Sequence, residues 1–342
     1  MHKIFIVIAV VSVILSSCQI NPKKGDDIVN VYTHRHYDTD QKLFDRFTEE
    51  TGIKVNVVSA SADELIQKME LEGSSSPADV LITVDAGRLA RAQEKGLLQQ
   101  VESDILKANV PGHLRHPDGY WFGLTYRARI IVYSLDRVDV EDLSTYEDLV
   151  DKKWEGRILT RSSENIYNQS LLASIIAHKG SAEAETWAAG VLKNMARNPK
   201  GNDRDQIIGV ASSLGDIAIV NTYYVGLMLN DKNKEMRNAA ESVGIFFPNQ
   251  EDRGTHINIS GAGVAKHSPN PENAVRFIEY LSDKTSQELF AQVNYEYPVN
   301  AEVEWSDLFK EWGQFKADSL NLSKLGEHNN EAVIIFDKIN WK

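Results

Sequence analysis

Cysteine occurs once in this 342-residue sequence, at position 18. A chain with one cysteine has no internal disulfide, no thiolate metal cluster and no dithiol redox pair. Basic residues are also in deficit: 37 Lys and Arg stand against 49 Asp and Glu, a formal net charge of −12. Phosphate backbones would be repelled by that balance, which argues against nucleic acid as a partner. Beyond the first residues there is no long apolar run, and neither a Gly-x-Ser-x-Gly elbow nor a His-Glu-x-x-His helix occurs. The commonest signatures of a secreted hydrolase are therefore missing.

What is present begins at the N-terminus. Lys3 precedes an apolar run from Ile4 to Val11, continued by Val13 to Leu15, and Ser16-Ser17-Cys18 follows at once. The run is short for a bilayer span, and small residues before a lone cysteine are what a lipoprotein signal peptidase cuts. Residues 1–17 thus read as a lipoprotein signal peptide and Cys18 as the lipid attachment point. The alternative is an ordinary secretory signal with an incidental cysteine. Residues 18–27 are polar and suit a tether. The expected location is the periplasm or cell surface, with the lipid anchor in a membrane.

From Ile28 the chain alternates strand-length apolar runs with amphipathic helical segments, the pattern of an α/β fold with helices on a mostly parallel sheet. Strands are expected at Ile28–Tyr32, Ile53–Val58 and Ala78–Thr83, with helices between them, the first ending at Gly52. In such folds the loops after the strands line one edge, where ligands bind. A strand at Arg129–Ser134 reads as a crossing into a second lobe, and Asp252–Val264 as the return. The expected division is 28–126 plus 252–300 for lobe 1 and 127–251 plus 301–342 for lobe 2, hinged around a ligand cleft.

Four features could carry chemistry. His34-Arg35-His36-Tyr37 follows the first strand, and alternate histidines there are either a metal pair or a solvated loop. Tyr167 falls near a helix start and is either a ligand or half-buried packing. Tyr223-Tyr224 follows the apolar strand Asp216–Val220, with Thr222 as the expected N-cap. Unpaired N–H groups at that helix start favour a phenol losing its proton. Arg127-Ala128-Arg129 stands at the first crossing, as a functional pair or as surface ion pairs.

Together these blocks resemble the periplasmic ferric-iron-binding protein family, the solute-binding components of iron ABC transporters, and within it the cyanobacterial type. The resemblance runs from about Ile28 to Asn300. It rests on Tyr32 to Tyr37, Phe47 to Val55, Arg127 to Tyr133, Asn221 to Tyr224, Arg253 to Gly263 and Asn294 to Val299. It implies a two-lobed type II periplasmic-binding-protein fold and Fe(III) bound by Tyr37, Tyr167, Tyr223 and Tyr224, with His36 as a candidate fifth ligand. Arg127 matches the arginine that balances charge beside the metal or holds a synergistic anion such as carbonate. The implied partner is an inner-membrane ABC transporter permease, the implied state a monomer, and the implied role a carrier rather than an enzyme.

The chemistry agrees with that set. Fe(III) is small and highly charged and prefers anionic oxygen, whereas imidazole is softer, which leaves His36 inside or outside the coordination shell. Four phenolates on Fe(III) leave one net negative charge, which Arg127 would neutralise. Tyr126 precedes Arg127 where the family resemblance leads to a small residue; it would add a phenol or line the cleft. The nearest rivals keep the fold and carry an oxyanion, polyamine, thiamine or sugar; a sensory or storage lipoprotein is another.

Overall fold

The computed structural model describes residues 27–35 and 38–342. The signal peptide, Cys18, His36 and Tyr37 lie outside the described residues. Among those described, no helix is long and apolar enough to cross a membrane.

The first part of the chain forms β1 (Ile28–Thr33), α1 (Asp38–Thr51), β2 (Lys54–Ser59), α2 (Ala62–Glu72), β3 (Val80–Val84), α3 (Ala86–Glu94) and α4 (Asp104–Asn109). These elements follow the expected alternation within a few residues. Gly52, at φ 75°, ends α1 in a conformation that costs a residue with a Cβ. Ser61 and Glu64 close a reciprocal capping box at the start of α2.

β4 (Phe122–Ser134) leads to β5 (Ile158–Leu159), α5 (Ile166–Lys179), α6 (Ser181–Lys193), α7 (Asp203–Ala211), β6 (Ile217–Asn221), α8 (Thr222–Leu229), α9 (Lys234–Glu241) and β7 (Val243–Phe246). The chain returns along β8 (Ile257–Val264) and closes with α10 (Pro271–Ser282), α11 (Lys284–Val293), β9 (Tyr297–Pro298), α12 (Asp307–Trp312), α13 (Ser323–Glu327) and α14 (Asn329–Lys338).

The strands run in the order β2-β1-β3-β8-β4-β6-β5, with β7 and β9 also paired to β4. β4 is one continuous strand rather than a short one starting at Arg129. Its first half pairs with β8, down to Ala128 opposite Ile257, and its second half pairs with β6 from Arg129 opposite Asn221. The sheet is mixed, not mostly parallel. β1 is parallel to β2 and β3, but β8 is antiparallel to both β3 and β4, and β6 is antiparallel to β4. The reason is connectivity: the chain leaves along β4 and comes back along β8, so the central strands run in opposite directions.

Ile130, Ile131 and Val132 of β4 and Val220 of β6 are fully buried. Each such side chain stabilises the fold by roughly 1.5–3 kcal/mol. The C-terminal segment packs by aromatic stacking, Phe315 on Phe247 at 4.3 Å and Phe309 on Tyr297 at 4.1 Å. α13 touches α3 and α5 together, and so spans both sides of the molecule.

Candidate metal centre

Two helix starts converge. Asn165 caps α5, its side-chain oxygen accepting from the Tyr167 N–H at 3.1 Å, which sets Tyr167 in the first turn. Tyr223 and Tyr224 occupy the first turn of α8, directly after β6, with ring centroids 4.2 Å apart. The hydroxyls of Tyr167 and Tyr223 are 3.3 Å apart. The α8 cap differs from expectation. Asn221 holds the cap position without a capping bond, because its side-chain oxygen accepts from Arg129 at 3.3 Å. Thr222 is inside the helix, and its hydroxyl accepts from the Ala128 N–H.

These phenols line a cleft of about 350 Å³. Its walls include His34, Arg35, Arg88 and Glu296 from one side and Asn165, Arg161, Arg204, Tyr167, Tyr223 and Tyr224 from the other, with Arg127 between. Of the residues singled out in the sequence, Arg127, Tyr167, Tyr223 and Tyr224 are thus brought together. Tyr126 is not among the lining residues; it stacks on Tyr297 at 5.0 Å, with burial pushing its phenol well above the ordinary tyrosine range.

The cleft is strongly cationic. Among the described residues five arginines line it and Glu296 is the one carboxylate, already paired with Arg35 at 2.9 Å. The guanidiniums of Arg127 and Arg161 each lie 5.5 Å from the Tyr167 ring centre. Arg161 shares the buried carboxylate of Asp203 with Arg129. Arg127 is nearly fully buried, and among the described residues neither of its terminal nitrogens has a hydrogen-bond partner; a carboxylate oxygen of Asp85 is 3.8 Å away. Buried donors without partners are uncommon and point to a group that they would meet in the cleft.

The Tyr224 phenol is pushed up to about 12, first by burial and then by Tyr167 and Asp203, while Tyr223 and Arg161 pull the other way. Behind the cleft His256 is pushed down to about 3 by burial and then by Arg129 and Arg127, so it stays neutral. Among the described residues no three His, Cys, Asp or Glu side chains gather into a metal cluster. The donors that the described residues offer in the cleft are the phenols, the Glu296 carboxylate and the His34 imidazole.

Arg88, Arg161 and Arg204 were not foreseen. Arg161 carried a usable signal, since it comes just after β5 on the ligand edge. Arg204, in the first turn of α7, had none, because its approach to Tyr224 depends on how α7 packs.

Residues 42–317 match the family described as bacterial extracellular solute-binding protein. The chain belongs to that family. This solute-binding protein is 48% identical to iron uptake protein A1 of Synechocystis sp., covering 98% of this chain and 95% of that one. It is 30% identical to the major ferric iron-binding protein of Neisseria meningitidis, over 80% of this chain and 82% of the relative. Its fold superposes with a TM-score of 0.90 on a Trichodesmium protein solved with iron and citrate ligands, at 49% identity, covering 92% of this chain and all of that one. The solute-binding protein thus has the two-lobed type II architecture and lies in the ferric-iron-binding branch of its family.

Proposed function

We propose that this protein binds ferric iron in the cleft through the phenolates of Tyr167, Tyr223 and Tyr224, joined by Tyr37, and carries it to the permease of an ABC transporter. The observation that carries the reading is the convergence of three phenols from two helix starts, beside a buried arginine whose terminal nitrogens have no hydrogen-bond partner among the described residues. Phenolate is the oxygen donor that suits Fe(III), and the helix N-termini and guanidiniums favour the negative charge that it acquires. Arg127 balances the surplus charge or holds carbonate against the metal, and His36 is a candidate fifth ligand. In this reading the lobes divide at 126/127 and 251/252, with residues 301–342 assigned to lobe 2 and packed against both lobes. The protein acts as a monomeric carrier rather than an enzyme, anchored at the membrane through lipid on Cys18.

An oxyanion carrier on the same fold is a second reading, favoured by the five arginines of the cleft. It leaves the convergence of three phenols without a role. Colour separates the two, because Fe(III) phenolate absorbs visible light by charge transfer. Protein purified under air should carry stoichiometric iron by elemental analysis and show that band. A colourless protein that takes up no Fe(III) from a ferric chelate would falsify the iron reading.

A further inference from the structure

Asp85 ends β3 and caps α3 with a backbone that few residues with a Cβ adopt, φ 84° and ψ 124°. Such a conformation costs on the order of 1–3 kcal/mol and persists only where surroundings enforce it. The side chain is fully buried, yet its carboxylate is well supplied with donors. One oxygen accepts from the Gly87 N–H at 2.9 Å and from the Ser170 hydroxyl at 2.7 Å. The other accepts from the Asn258 amide at 2.9 Å and lies 3.8 Å from Arg127.

These partners belong to different parts of the molecule. Gly87 is in the same turn and Asn258 is on β8, in the same half of the sheet as β3. Ser170 is on α5, which follows β5 at the far end of the sheet, and it stands one helical turn beyond Tyr167. The Asp85 carboxylate therefore reaches across to the helix that carries a cleft phenol. Gly87 permits the approach: a Cβ there would stand 3.2 Å from the Asp85 oxygen, 3.5 Å from Ile166 and 3.7 Å from the Ser170 hydroxyl.

We infer that Asp85 is a positioning residue for cargo retention: through Ser170 it holds the Tyr167 helix at the spacing of the closed cleft, and it faces Arg127 toward that helix. The inference rests on the iron-binding reading of the cleft. The bond lies beside the crossing strands β4 and β8, so its length sets the angle between the two sides at its base. When the cleft opens the Ser170 bond is lost, but Asp85 keeps Gly87 and Asn258, and no buried charge is stranded. Opening is then resisted without being forbidden.

Ser170→Ala removes the cross-cleft donor and nothing else from the Asp85 set. Gly87→Ala leaves every donor in place, suits the helix and presses a methyl group, 3.2 Å away, on the Asp85 oxygen that accepts from Ser170. In the full-length iron-loaded protein, both variants should release iron to excess chelator about tenfold faster, the size expected of one hydrogen bond to a charged group. The visible band should be unchanged, because no ligand is touched, and so should the melting temperature of the iron-free protein. Release at the wild-type rate from both variants overturns the role of Asp85 while leaving iron binding intact. A wild-type protein that takes up no iron overturns the iron reading itself and this inference with it.

Discussion

The hydroxyls of Tyr167 and Tyr223 stand 3.3 Å apart although 56 positions separate the two residues. Each is the second residue of its helix, α5 in one case and α8 in the other. Two helix N-termini aimed at one point create a place where negative charge is favoured, by about 0.3–1 kcal/mol for each helix. Negative charge that a phenol acquires on binding a metal would be favoured there.

Tyr223→Phe and Tyr224→Phe each remove one oxygen and keep the ring. Each should weaken Fe(III) binding by more than the roughly 10–100-fold that outer-shell changes cost, and each should shift the visible band. The double variant should lose more than either single one. Tyr120→Phe, away from the cleft and packed on His116, serves as control. If the double variant folds and keeps wild-type colour and affinity, the ligands are elsewhere.

Iron binding should weaken as pH falls. The Tyr224 phenol, pushed up to about 12 by burial first, is protonated in the iron-free protein at every physiological pH and must release its proton to bind. Each proton released makes the apparent affinity rise about tenfold per pH unit and fall by the same factor on acidification. Competition against a chelator, corrected for the chelator's own protonation, measures the slope. A flat profile between pH 5 and pH 8, on the order of three units, contradicts tyrosinate ligation.

Small-angle scattering should show a smaller radius of gyration with Fe(III) than without it, since ligands from two lobes reach one ion only when the cleft closes. An unchanged radius with iron demonstrably bound would put every ligand on one lobe.

Asp203→Ala should destabilise the fold by about 3–5 kcal/mol, because it leaves buried guanidinium charge without its counterion. Asp203 accepts from Arg129 at 2.8 Å, from Arg161 at 3.3 Å and from the Asn221 N–H at 2.9 Å. Urea denaturation of the iron-free protein reads this directly. A loss under about 1 kcal/mol, the size of an exposed ion pair, would mean that solvent reaches the network.

Much of the architecture is written in local signals. Gly52 as the stop of α1, the amphipathic spacing of α1 and α2, and the strand before Tyr223 all act over a few residues, so they can be read in order along the chain. The sequence by itself also determined that Tyr167, Tyr223 and Tyr224 stand at helix starts: the polar run before Tyr167 and the apolar strand before Tyr223 place them, although the expected Thr222 cap is inside α8. Only the tertiary structure decided that these starts face each other, that four further arginines join Arg127, that Asp85 meets Ser170 of α5 and that Asp203 pairs with Arg129 and Arg161. The physical reason is strand order. β4 carries β8 along its first half and β6 along its second, and that pairing sets Arg127 and Ala128 beside Asn258 and Ile257 and sets Arg129 beside Asn221. Neighbours chosen by sheet pairing are distant in the chain, and no short-range preference encodes them.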